Sequence, residues 1–405
     1  MSRARYTAAT SMPVTSTRNP RKITFLTMHS WKSNRSGGFH KFAEASCARG
    51  IETVFFSFSR PYYGRFMHTE LFNRAAIDSL SKGITYTVHG TPLHNVTLPT
   101  LKLPNACNRL LGNAAMNALA RFSLTPFGMF CRRWLDGTDV FVFESADGIV
   151  LFDKLKKHYP DARFVYRPSD PLMYDGALSR YVQNELHIMR CADMNIIVNE
   201  EGLSLYRRKI PDFETAVHYT MLSNGVDIAS YERSYPVPEP LQKPNTVLYV
   251  GAWDVDWPLL FSAARECPSF QYIVVCPNYP PESVLREVST VPNLLYVPGI
   301  PPEDVPAWIT NCSVVMVPYV TDFYRNRPLG ITAKYYQAMA AKKPIVAYSD
   351  TPKLSEAGVC VTYTKADFIS AVQKAMTEHE HEYSFDLAGR SWETIERRFM
   401  EIICP

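Results

Sequence analysis

The chain has 405 residues, of which 46% are hydrophobic and 20% charged, with 43 Lys+Arg against 39 Asp+Glu. That length predicts two or three domains with sizeable cores and excludes a disordered or fibrous chain. No run of 18 apolar residues occurs, so no transmembrane helix is predicted, and the N-terminus lacks the apolar stretch of a secretory signal.

The charge is uneven. Residues 1–130 hold 16 Lys+Arg and 4 Asp+Glu, a net +12, which leaves −8 for the remainder. A basic half can face nucleic acid, anionic lipid or an anionic substrate, or it can be a solvated surface. No nucleic-acid-binding motif accompanies it, and its basic residues are spread over a βαβ pattern, so the nucleic-acid reading loses support. The nine cysteines show no Cys-x-x-Cys or Cys/His ligand spacing, and read as reduced core thiols of a cytosolic protein.

In chain order, residues 1–20 form a Ser-, Thr-, Arg- and Pro-rich tail expected to be disordered. Strands are predicted at 22–27 and 53–59, with a loop and a helix (about 39–49, ended by Gly50) between them, which is a βαβ unit. Further strands are expected at 84–88, 139–143, 163–166 and 194–198, and helices at 108–122, 148–158 and 178–191. Prolines 236, 238, 240 and 244 mark a linker at 233–245. A second α/β series follows, with strands at 246–250, 271–276, 294–297, 313–317 and near 359–361. Its helices begin near 258, 302 and 365, with another after the Pro328/Gly330 loop that holds Lys334 in its first turn, and a last helix covers 386–400. The expected units are therefore 21–232, 246–382 and a terminal helix within 383–405. Two such repeats imply two doubly wound α/β domains, which bind ligands at the carboxyl ends of their strands.

Candidate chemistry sits at those ends. Arg327-Pro-Leu-Gly-Ile-Thr-Ala-Lys-Tyr-Tyr-Gln337 leads into a helix whose free N–H groups and positive dipole end suit a diphosphate. Lys334 adds a full charge, and Gln337 is one turn on, facing the same way. Asp170 ends the strand Val165-Tyr-Arg-Pro-Ser-Asp and can act as a general base or as a helix cap. Glu144, after Val-Phe-Val-Phe, can serve similarly, or hold a backbone N–H, or pair with Arg167; the structural role is preferred. His29, Trp31, Arg35 and His40 occupy the first βα region, where Arg35 beside Gly37-Gly38 resembles an anion nest. That loop is neither G-x-G-x-x-G nor a Walker P-loop. Asn224-Gly-Val-Asp227 is a tight turn in which Gly225 is expected to supply an unusual backbone angle. Trp253 and Tyr319 follow strands of the second series and can line a nucleotide pocket or belong to the core. Asp254-Val-Asp256 is weak support for a metal, and none is expected. No Ser-His-Asp nucleophile elbow is present.

Taken in order, these segments resemble the GumK-type glucuronosyltransferases of bacterial exopolysaccharide synthesis (glycosyltransferase family 70). The likeness rests on Asp139-Val-Phe-Val-Phe-Glu-Ser145, Phe164-Val-Tyr-Arg-Pro-Ser-Asp170, the loop His29…Arg35…His40, Gly225-Val-Asp227, Val250-Gly251 and Lys334-Tyr-Tyr-Gln337. The resemblance implies a GT-B fold: two Rossmann-like doubly wound domains facing a central cleft, with a C-terminal helix crossing back to the first. It also implies inverting, metal-independent transfer of glucuronate from UDP-glucuronate, with no other cofactor, to a lipid-diphosphate-linked oligosaccharide. Asp170 then matches the catalytic base, Lys334 and Gln337 the donor diphosphate site, Tyr319 and Trp253 the uridine contacts, and Arg35 a residue near the sugar carboxylate. His29, Trp31, His40, Glu144 and Asn224 are assigned to the acceptor side or cleft wall. Thr332, Ala333 and Trp253 stand where the family has Ser, Met and Met, and Ile300 falls near a family Glu. The expected location is the cytoplasmic face of the inner membrane, with Trp31, Tyr62, Tyr63 and Phe66 of the basic half docked on anionic lipid.

Overall fold

The computed structural model describes residues 20–32, 37–58, 61, 83–123, 125–252, 255–319, 330–348 and 352–404. Eight strands form the first sheet: β1 (Lys22–Thr27), β2 (Glu52–Ser57), β3 (Ile84–Val88), β4 (Thr91–Thr97), β5 (Val140–Glu144), β6 (Arg163–Arg167), β7 (Met194–Ile197) and β8 (Tyr219–Met221). Their order is β3-β4-β2-β1-β5-β6-β7-β8. Every pairing is parallel except β3 with β4. Six strands form the second: β9 (Thr246–Val250), β10 (Gln271–Val275), β11 (Leu294–Val297), β12 (Val314–Pro318), β13 (Ile345–Tyr348) and β14 (Cys360–Thr362). Here the order is β11-β10-β9-β12-β13-β14, and all pairs are parallel.

Parallel strands covered on both faces read as continuous apolar runs. β5 shows this: Val140 and Val142 enter one core of the first sheet, while Phe141 and Phe143 enter the other. The order of each sheet reverses once, beside β1/β5 and beside β9/β12, which opens a crevice at the carboxyl end of each sheet. His29, Gly251 and Tyr319 lie in the loops after β1, β9 and β12, and Glu144 is the last residue of β5.

The terminal helix, Trp392–Ile403, packs on the first sheet although it follows the second. Phe399 is fully buried and stacks on Phe42 with ring centroids 3.9 Å apart. The helix starts later than the expected 386, because Ser391 caps it by accepting from the Thr394 N–H. Gly225 corrects a second expectation. It is absent from the positive-φ glycines. A Cβ there would lie 2.7 Å from Trp392 Cδ2 and 3.0 Å from its Cα, so the position needs closeness, not an unusual angle. The Pro-rich segment is not a bare tether either: Leu241 is buried in the second core.

All nine cysteines are free, and five are buried. Cys191 and Cys360 are exposed and so are not core thiols. Among the described residues no helix is long and apolar enough to cross a membrane.

The Phe42–Phe399 stack makes the terminal helix part of the first core. Phe399→Ala is expected to cost about 3–5 kcal/mol in chemical denaturation, the usual range for a buried Phe truncated to Ala.

Candidate functional site between the two sheets

On the first sheet, Glu144 ends β5 and is buried. Its Oε2 accepts from Thr27 Oγ1 at 2.5 Å and from the Met28 N–H at 3.2 Å. Its Oε1 accepts from Ser169 Oγ at 2.8 Å and stands 3.7 Å from His29 Nε2. One carboxylate thus ties together the loops after β1, β5 and β6. Ser145 adds to this: its Oγ accepts from the N–H groups of Ser169 (3.0 Å) and Asp170 (3.3 Å). Asp170 itself is exposed. It caps no helix, since the next one begins at Ser179.

Arg167 does not hydrogen-bond Glu144. The guanidinium is fully buried, donates to Asn224 Oδ1 at 2.7 Å and lies over the Phe42 ring at 4.8 Å. Burial draws its pKa down to about 10, and the charge of Glu144 acts in the opposite sense. Asn224 is in turn pressed against Gly38, where a Cβ would meet Oδ1 at 2.9 Å. Asn224 therefore joins the β6 and β8 ends to the first helix, Gly38–Ala48.

His40 and Trp31 are structural rather than cleft-lining. His40 is buried; its Nδ1 accepts from the Gly37 N–H at 3.3 Å, which leaves Nε2 as the donor to the Ser30 carbonyl at 3.0 Å. Burial, with the adjacent His29, lowers its pKa to about 4, so the ring is neutral at physiological pH. Trp31 stacks on His40 (5.6 Å) and meets Phe55 edge-on (5.4 Å), so one side of this part-buried ring is packed against the core. Arg35, Tyr62, Tyr63, Phe66 and Trp253 lie outside the described residues.

On the second sheet, the helix Ala333–Ala340 begins from an extended Thr332 whose side chain makes no cap bond. Thr332 Oγ1 is buried without a hydrogen-bond partner. Ala333 is exposed on the first turn, where helix N–H groups have no intrahelical acceptor. Lys334 Nζ donates to Tyr319 OH and sits over the rings of Tyr249 (5.2 Å) and Tyr319 (4.6 Å). Among the described residues no carboxylate lies within ion-pair distance of it. Burial lowers its pKa to about 7, against the opposing influence of Cys276 and Asp170.

Tyr319 is buried, and its hydroxyl accepts from Lys334. The Gln337 side chain sits at the Tyr231 hydroxyl, one turn below Lys334. Asp256 caps the helix Trp257–Glu266 by accepting from the Leu259 N–H at 2.9 Å. Gly251 makes room for the lysine: a Cβ would lie 2.7 Å from Tyr249 OH and 3.0 Å from Lys334 Cε.

The sequence reading did not single out Ser145, Tyr249 or the space at Gly251. A hydroxyl directly after Glu144, and an aromatic hydroxyl two residues before a glycine at a strand end, were the available signals. The two halves meet at Gly330, where a Cβ would come 2.6 Å from Glu201 Oε2 and 3.0 Å from Asn199 Nδ2. The charge of Asp170 reaches Lys334 from the other half and opposes the effect of burial on it.

Residues 25–198 match the family model described as "Glucuronosyltransferase GumK, N-terminal domain". A search of curated proteins returns no match. Among solved structures, the chain is similar to sucrose-phosphate synthase from Thermosynechococcus elongatus, with TM-score 0.62 and 15% identity over 95% of this chain and 94% of that one. It is similar to HepE of Anabaena, solved in complex with UDP, with TM-score 0.57 and 14% identity over 94% and 99%. A third is the E. coli protein described as "Trehalose-6-phosphate", bound with UDP-2-fluoro glucose, with TM-score 0.59 and 12% identity over 94% and 95%. These likenesses show the GT-B fold.

A lysine near neutrality in the free protein becomes fully charged beside a dianion. Binding of a nucleoside diphosphate at pH 8.5 is therefore expected to take up a proton, and affinity to weaken as pH rises above about 7. Calorimetry in two buffers of different ionisation heat measures the uptake. Lys334→Ala is expected to abolish it and to weaken binding by about 1.5–3 kcal/mol, the range for a charge-assisted hydrogen bond.

Proposed function

We propose that this GT-B glycosyltransferase, GumK-like over residues 25–198, is an inverting enzyme that transfers glucuronate from UDP-glucuronate to a lipid-diphosphate-linked oligosaccharide. Exopolysaccharide assembly is the setting that such an acceptor suits. Asp170 takes the proton of the acceptor hydroxyl, whose oxygen attacks C1 of the sugar from the face opposite the leaving group. The C1–O bond to the diphosphate breaks, and its electron pair leaves with UDP. Lys334 and the N–H groups at the start of Ala333–Ala340 stabilise that departing charge, which is the main electrostatic demand of the step. The helix end and lysine supply positive charge without a metal.

The observation that supports this reading is an exposed acid past a strand end of one domain whose charge is felt by a lysine at a helix start of the other. The acid is exposed, with its backbone pinned by Ser145, and its charge acts on the lysine of the facing domain. Asp170→Asn is expected to lower turnover by at least about 10²-fold, the scale of general-base catalysis, while UDP affinity is kept. In a melting panel of nucleotide sugars at one shared concentration, UDP-glucuronate is expected to stabilise the protein most, by about 2.7 kcal/mol where that concentration is 100 times its Kd. A larger response to UDP-glucose would transfer the proposal to a neutral donor.

A peripheral membrane location is supported by the first domain's surface. Residues 79–135 contain six Lys or Arg and no Asp or Glu. Within that stretch Leu110 is 89% exposed and Phe122 57%, with Leu111 and Met129 also exposed. The helix Asn108–Arg121 is interrupted at Gly112, where φ is +72°, next to Leu110-Leu111. Exposed apolar side chains in a stretch that carries cations and no acid of its own suit the interface of an anionic bilayer. The protein is expected to sediment with phosphatidylglycerol vesicles and not with phosphatidylcholine ones. Leu110→Glu with Phe122→Glu is expected to weaken that binding by about tenfold or more, since each burial is worth 1.5–3 kcal/mol.

A further inference from the structure

Glu185 lies on the helix Ser179–Cys191 and is fully buried. Its Oε1 accepts from the hydroxyls of Tyr166 and Tyr206, both at 2.8 Å. Its Oε2 accepts from the backbone N–H groups of Leu172 (2.8 Å) and Met173 (2.7 Å). Four donors on one carboxylate saturate its acceptor capacity. Two of the four belong to the residues that follow Asp170-Pro171. Tyr166 is in β6, so the same carboxylate also grips the strand from which the Asp170 loop departs.

We propose that Glu185 is a positioning residue for Asp170, fixing the far side of its loop as Ser145 fixes the near side. The assignment rests on the reading of Asp170 as the base. An exposed carboxylate on an eleven-residue stretch without helix or strand, 168–178, has no secondary structure to hold it. Backbone anchors on both sides replace it. Ser145 Oγ holds the N–H groups of residues 169 and 170, and Glu185 Oε2 those of 172 and 173. Asp170 is thus bracketed by two side chains from different elements, one at the end of β5 and one from the helix.

This location also explains why a carboxylate is kept in a site that disfavours it. Burial raises the Glu185 pKa to about 7, and its four donors act in the opposite sense. A neutral acid can satisfy fewer of those donors, so the network is made for the ionised group.

Three variants separate positioning from general support. In Glu185→Gln, the amide oxygen can face the two backbone N–H groups while its NH2 donates to the tyrosine hydroxyls, which can accept. That variant is expected to keep turnover within about threefold. Glu185→Asp withdraws the acceptor by one methylene, and Glu185→Leu removes it. Both are expected to lower turnover by about 10–10²-fold, the effect of a misplacement near 1 Å. UDP affinity should stay unchanged in both, because the diphosphate site is in the other domain. Turnover is read at pH 8 as UDP released from UDP-glucuronate or UDP-glucose, to water or to a prenyl-diphosphate-linked oligosaccharide.

Wild-type turnover in folded Glu185→Asp would overturn the proposal. So would a joint loss of turnover and UDP affinity, which marks a merely structural residue. Should Glu185→Leu fail to fold, the Asp and Gln variants still decide. Failure of the underlying reading looks different: Asp170→Asn would then retain turnover, whatever the Glu185 variants do.

Discussion

An ammonium group set over two phenol rings, with no carboxylate within ion-pair distance among the described residues, is the constraint from which the donor half is built. Desolvating Lys334 disfavours its charge, and the ring faces of Tyr249 and Tyr319 return only part of what water supplied. The lysine is consequently held near its neutral point in the free protein. A dianionic ligand then gains more from it than from a lysine already paired with an acid. Gly251 leaves the room that Lys334 needs, and Tyr319 gives up its hydroxyl to steady it. Thr332 brings a second unmet polar atom to the same helix start.

The first half answers with the opposite arrangement. Its central carboxylate, Glu144, is buried and fully engaged, while the exposed carboxylate, Asp170, stands at the end of a pinned backbone. Two acids close in sequence to neighbouring strand ends thereby take different tasks. The buried one spends its acceptor capacity on loops after β1 and β6. The exposed one has its backbone N–H held by Ser145. Arg167 contributes by withdrawing from both: its guanidinium is turned to Asn224 and Phe42, and so knits β6 to β8 and to the first helix.

Much of this was legible because parallel sheets write their topology in apolar runs and leave polar residues at their ends. Val-Phe-Val-Phe before Glu144, and Val-Tyr-Arg-Pro-Ser before Asp170, locate both acids on strand ends without any knowledge of their partners. β4 escapes that reading, since Pro92, His94 and Asn95 break its apolar pattern. The positive φ of His89 and Gly90 shows the two-residue hairpin turn that announces it. His40 and Trp31 are misplaced by the same logic that finds Asp170. Loop position after β1 suggests the cleft, yet the helix begins at Gly38 and turns His40 inward as the partner of the Gly37 N–H. Gly225 was beyond local reading, because the atom that forbids a side chain there belongs to Trp392, far along the chain.

That last contact bears on how the halves are held. The chain leaves the first sheet through Val226, builds the second, and returns beside its own exit: Val226 N–H donates to the Arg390 carbonyl, and Trp392 N–H donates to that of Val226. Phe42 then receives Phe399 from the returning helix. The connection between domains is therefore a paired crossing anchored in the first core. Gly330 touches Asn199 and Glu201 at a second place, just ahead of the helix that carries Lys334. Both approaches are made by residues that perform no chemistry, and both need a glycine: Gly225 against Trp392, and Gly330 against Asn199 and Glu201.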